Sequence, residues 1–142
     1  MATVFDVAAY ILEKTGPTPA MKLQKLVYYA QAWSLVWDEK PLFPNRIEAW
    51  ANGPVVRDLY EAHRGQFQVA RISGGDTAVL TPAERETIDS VLEFYGGKPG
   101  QWLSDLTHRE DPWRDARADV PPGDYGDREI TQAGLAEYYG SL

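Results

Sequence analysis

The stretch Thr18–Trp37, TPAMKLQKLVYYAQAWSLVW, decides the fold. Thr18 can cap a helix, and Pro19 then suits the first helical position, where its missing N–H removes nothing. The rest of the stretch has neither Gly nor Pro. Leu23, Leu26, Val27, Ala30, Trp33 and Trp37 recur at helical spacing and make one apolar face. Tyr28, Tyr29, Ala32, Leu35 and Val36 fill much of the remainder, and Lys22, Gln24, Lys25, Gln31 and Ser34 are scattered between them. A helix apolar nearly all round is a central helix, packed on several sides. Lysine and glutamine interrupt it too often for a membrane span.

Outward from this helix, the chain punctuates itself. Thr3 opens a first helix over Val4 to Lys14, ended by Gly16-Pro17. Asp38 to Arg46 is a proline-containing loop whose Leu42 and Phe43 turn back to the core. Ile47–Trp50 alternates as a short strand, and Asn52-Gly53-Pro54 is a turn, with Pro54 starting a helix to about His63. Phe67–Ile72 alternates as a half-buried strand, with Thr77–Leu80 as its return and Ile47–Trp50 alongside. Thr81-Pro82-Ala83-Glu84 is a capping box, and Ile88, Val91, Leu92 and Tyr95 continue one face. Helices follow at Pro99–Thr107 and after the cap Thr131, with a Pro/Gly/Asp-rich loop at 119–127 between them. The expected fold is mainly α: one compact multi-helix domain over residues 1–142 around a central buried helix (18–37), with a small β-hairpin or three-strand element near 47–80.

With 142 residues the chain can bury a core without staples, and having no Cys it has neither disulfides nor thiolate chemistry. The first residues lack the basic start and cleavage site of a signal peptide, so a soluble, cytoplasmic protein is expected. Net charge is −7 and uneven. Residues 1–72 carry eight basic and seven acidic side chains, residues 73–142 six and fourteen. That balance opposes direct nucleic-acid binding and suits either solubility or a basic protein partner.

No motif announces catalysis. His63, at a helix end with no second His one turn away, reads as structural rather than as a metal ligand. His108 lies in the denser cluster Thr107-His108-Arg109-Glu110-Asp111-Pro112-Trp113. An acid–base or partner-contact site is one reading of it; a helix end where His108 and Arg109 meet free carbonyls is the other, and the better one against catalysis. Gly74-Gly75 and Gly96-Gly97 lack the setting of a phosphate loop, and no serine stands in a nucleophile elbow. Lys22, Lys25 and Arg57 read as a solvated face rather than a basic strip. Trp50 and Trp113, beside turns, fit either core positions or the aromatic anchors of an interface.

Three ordered stretches resemble one family. Met21-Lys22-Leu23-Gln24-Lys25-Leu26-Val27-Tyr28-Tyr29-Ala30 is similar to the K-L-Q-K-L-x-Y-x-A helix of the Panacea antitoxin domain, also called SocA-like or GepA-like. Pro41-Leu42-Phe43 with Glu48-Ala49-Trp50-Ala51-Asn52-Gly53-Pro54-Val55-Val56 resembles its P-L-F … E-A-W-x-x-G-P-V segment. Leu106-Thr107-His108-Arg109-Glu110-Asp111-Pro112-Trp113 resembles its late L-T-H-x-E-x-P-W motif, with Asp111 departing from the small residue often found before Pro-Trp. The resemblance implies an antitoxin that neutralises a cognate toxin, encoded by an adjacent gene, through direct protein binding. It implies no enzymatic activity, no catalytic residues, no cofactor and no metal. A proteolytic adaptor that delivers the toxin to a protease is the alternative; an enzyme centred on His108 comes last. Trp50, His108, Glu110 and Trp113 are the expected partner-binding residues.

Overall fold

The computed structural model describes all 142 residues. The fold has seven helices, a three-stranded antiparallel sheet and a separate two-residue strand pair. Helix α1 (Val4–Thr15) starts where the Asp6 carboxylate accepts the Thr3 backbone N–H at 2.8 Å. Helix α2 (Ala20–Trp37) is the central element, packed on α1 and on helices α4 (Pro82–Tyr95), α5 (Gly100–His108) and α7 (Gln132–Gly140). Leu23 to Ala32 is an unbroken buried run, as expected of a helix apolar nearly all round.

The start of α2 differs from the sequence expectation. Thr18–Pro19 is extended (β1) and pairs with Gln68–Val69 (β4), so Pro19 precedes the helix and Thr18 does not cap it. The Phe67 carbonyl accepts the Ala20 N–H at 2.9 Å, while the Thr18 hydroxyl donates back to the Gly16 carbonyl. A carbonyl from a distant segment thus engages the donor at the helix start.

Ile47–Trp50 is a strand (β2), as read, but its partners are different. Gly53–Val56 forms β3, so Pro54 belongs to an edge strand and the following helix, α3, is shortened to Arg57–His63. Proline is tolerated there because Ala49, opposite Pro54, donates its N–H to the Arg128 carbonyl on the other side. The third strand is Glu129–Ile130 (β5), giving the order β3-β2-β5. The hairpin expected over 67–80 does not form: only Gln68–Val69 pairs, and Thr77–Val79 is a 3₁₀ turn capped by Asp76. The Asp6 carboxylate accepts the Asp76 N–H at 2.7 Å, which anchors this loop to α1. Both later caps form as read: Glu84 N–H bonds Thr81, and Gly134 N–H bonds Thr131.

The polar residues of α2 are interior braces. Gln24 accepts the Val56 N–H (2.9 Å) and donates to the Val56 carbonyl (3.2 Å), tying the helix to β3. Gln31 does the same for the 38–46 loop through the Leu42 and Phe43 backbone, and Ser34 donates to the Lys40 carbonyl. Lys25 is fully buried and donates to the Pro54 carbonyl at 3.3 Å, which corrects its reading as part of a solvated face.

Gly53 makes this packing feasible. Its φ is +124°, and a Cβ there would stand 2.6 Å from Lys25 Cε. Gly53→Ala is therefore expected to lose about 2–4 kcal/mol from strain and clash together. Urea unfolding measures this; a loss under about 0.5 kcal/mol would refute the close-approach account.

Candidate functional site

Three of the four expected contact residues lie about the β2–β3 turn, Trp50 in the hairpin itself and His108 and Trp113 stacked beside it. Trp113 opens toward this turn from helix α6 (Asp111–Ala116), and its indole N–H donates to the Trp50 carbonyl at 2.8 Å. His108 stacks on the Trp113 ring with centroids 4.0 Å apart and planes 15° apart. Arg117 lies over the same ring at 5.4 Å and donates to the Ala49 carbonyl, closing the loop after α6 onto β2. Trp50 donates to Glu48, stands edge-on to Tyr60 at 4.9 Å, and carries the Arg57 guanidinium over its ring at 5.2 Å. Arg57 also donates to the exposed Tyr125 hydroxyl. Trp50, His108 and Trp113 are each half-buried, so their edges are accessible while their positions are fixed by hydrogen bonds and stacking.

Charge and burial act on two groups around this turn. Burial disfavours the Glu48 charge, but donation from Trp50 and Arg57 and the charges of Arg57 and Arg46 outweigh it and hold its pKa below the ordinary carboxylate value. Burial lowers the His108 pKa, and the nearby Lys25 charge acts in the same direction. His108 Nε2 is buried without a hydrogen-bond partner, while a hydrogen bond with the Asn52 backbone acts on the ring against the effect of burial. His63 is buried against Gln24, whose amide donates to His63 Nε2 at 3.0 Å. With the Gln24 orientation fixed by Val56, that ring nitrogen is the acceptor, and burial holds the imidazole neutral by lowering its pKa.

Glu110 is placed elsewhere. It is only 8% exposed, and its Oε1 accepts both the Tyr29 and Tyr139 hydroxyls at 2.7 Å. Because Tyr139 donates to Glu110, the 3.0 Å bond between Tyr28 and Tyr139 runs from Tyr28. Burial raises the Glu110 pKa, against the two tyrosine donors that lower it. This network links α2, α7 and the α5–α6 junction.

On its far side Glu110 floors a groove of about 600 Å³ between α2, α4 and α5. Trp33, Trp37, Phe94, Trp102, Leu106 and Leu142 supply most of the apolar lining. Trp37, Phe94 and Trp102 are 50%, 62% and 36% exposed. Sequence periodicity assigned Trp37 and Trp102 to the interior, because each lies at the edge of an apolar stripe. A visible signal was the excess of aromatics over what one helix face needs. Trp33 is fixed by donation to the Tyr95 hydroxyl at 3.0 Å and stacks on Trp37 at 5.1 Å, so the groove wall is ordered.

No helix is long and apolar enough to cross a membrane. Neither a curated protein nor a solved structure shows significant similarity to the chain. The profile of the family described as "Antitoxin SocA-like, Panacea domain" matches residues 23–114. That span runs from the core of α2 through the Trp50 hairpin and His108 to Trp113 and the residue beyond it, and on this match the chain belongs to the SocA-like, Panacea-domain antitoxin family.

Proposed function

We propose that this protein is the antitoxin of a toxin–antitoxin pair and neutralises its toxin by direct protein–protein contact, without catalysis. The observation that carries the reading is the family match over residues 23–114, the span that holds both the Trp50–His108–Trp113 cluster and most of the groove. Rigid, half-exposed tryptophans are efficient interface anchors, since little side-chain freedom remains to be lost on binding. Trp50, His108 and Trp113 contact the toxin, and Glu110 contributes as the floor of the groove. The toxin is the product of an adjacent gene, and the complex works in the cytoplasm without direct nucleic-acid contact.

Co-expression with that product, followed by pull-down, tests the reading. The expected result is growth arrest by the neighbour alone, growth together, and a stable complex. Trp50→Ala and Trp113→Ala are each expected to weaken the complex by about 2 kcal/mol or more, and His108→Ala by about 1 kcal/mol, with the helical circular dichroism spectrum kept. Rescue accompanied by disappearance of the toxin, and dependent on a protease, would establish the adaptor role instead. A harmless neighbour that does not bind would refute both.

A further inference from the structure

The groove beside Glu110 has a polarity along its length. Toward the start of α2, where Gly100 packs on Lys22, the Lys98 ammonium lies over the Trp102 ring at 4.8 Å. At the other end, a shallower hollow shares Trp37 and Ser90 with the groove and is lined by Asp38 and Glu86. Neither of these carboxylates is in an ion pair, and Asp38 accepts only the Thr87 hydroxyl, at 2.6 Å. The carbonyl end of α2 points to this same end, and its last turn carries no basic side chain. Two sources of negative potential, the carboxylates and the helix dipole, therefore meet beside exposed aromatic surface, and neither carboxylate is held in an ion pair within the chain.

We infer that the groove seats an apolar segment of the partner protein whose end at Asp38 and Glu86 carries Lys or Arg. The partner is the toxin on the reading above, on which this inference rests. The apolar residues fill the space between Trp33, Phe94 and Trp102, and the basic end answers the unpaired carboxylates and the α2 carbonyls. An acidic or neutral segment leaves that end unmatched. This surface is separate from the Trp50–His108–Trp113 cluster, to which Glu110 and the α5–α6 junction connect it.

The probe is a labelled amphipathic peptide about four turns long, with Leu and Phe on one face and Lys at one end, compared with its counterpart carrying Glu for Lys. Fluorescence anisotropy with the purified chain is expected to show binding of the Lys peptide and at least about tenfold weaker binding of the Glu peptide. Phe94→Glu and Trp37→Ala are each expected to weaken the Lys peptide about tenfold or more. Glu86→Lys is expected to weaken it about three- to tenfold and to erase the charge preference. Equal binding of both peptides, no binding of either, or indifference to Phe94→Glu in a folded protein would overturn the inference. So would a wild-type dimer that Phe94→Glu dissociates, since the occupant would then be a second copy. Phe94→Glu is also expected to lose the co-expressed toxin. Retention of the toxin by that variant overturns this inference and leaves the antitoxin reading intact. Charge-selective peptide binding without any toxin binding sinks the antitoxin reading and supports the groove.

Discussion

Lys25→Met is expected to raise stability by about 2–4 kcal/mol at pH 7. The Lys25 ammonium is fully buried with one backbone acceptor, and burial pushes its pKa down to about 7. The unfolded chain holds the proton up to the ordinary lysine value, so between about pH 7 and 10.5 the unfolded state binds more protons. Stability of the wild type should therefore rise with pH across that window and stay flat just below it as far as this group is concerned. Methionine is one atom shorter but nearly equal in volume, and it removes the charge. What it loses is the bond to the Pro54 carbonyl, worth about 1 kcal/mol. The variant should lead at pH 7, and the lead should vanish by about pH 10.5, with the rise flattened. Urea unfolding at several pH values measures both. A wild type without the rise, or a variant less stable at pH 7, would show that Lys25 is better solvated or better paired than the packing indicates.

Glu110→Ala carries the second large effect, in the opposite direction. It strips the shared acceptor from two buried tyrosine hydroxyls, Tyr29 and Tyr139, and the Tyr28 bond depends on the same orientation. Leaving such donors unsatisfied costs about 1–3 kcal/mol each, so a loss of about 3–5 kcal/mol is expected. Glu110→Gln keeps a carbonyl oxygen in place and removes the buried charge, so it should stay within about 1 kcal/mol of the wild type. The pH dependence separates the charge from the acceptor. Burial raises the Glu110 pKa, so the folded state holds this proton more tightly than the unfolded state. Its favourable contribution is present below the ordinary carboxyl value of 4.5 and is lost as pH rises through the raised value. Glu110→Gln should therefore gain on the wild type as pH rises through that window. Equal losses in the Ala and Gln variants would remove the shared-acceptor account.

Both results concern residues whose interior roles the linear chain does not show. Lys25 stood in a helix with other polar positions, and Glu110 in a cluster of charged and turn residues suited to a surface. A carboxylate beside Asp111 and Arg109 gives no local sign that two tyrosines from other helices will converge on it. The same holds for the aromatics. Trp33 and Trp37 share a stripe at i, i+4, yet Trp33 donates to Tyr95 from a half-buried site while Trp37 stands half exposed at the groove rim.

What the sequence by itself determined is the set of features whose physics is local. The central helix followed from apolar residues at helical spacing with neither Gly nor Pro after Pro19; the α4 and α7 starts followed from Thr81 with Glu84 and from Thr131, each cap bonding within its own first turn. Three ordered motifs marked the family, and the match over 23–114 bears that out. Tertiary structure alone decided the rest, because those choices depend on partners far along the chain. Pro54 enters a strand because β2 and Lys25 receive it, and the third strand comes from Glu129–Ile130 rather than the nearer Phe67–Ile72. Thr18 yields the start of α2 to the Phe67 carbonyl. Periodicity reports that a residue lies on a face; only packing decides whether that face meets a core, a backbone needing a donor, or a groove open to a partner.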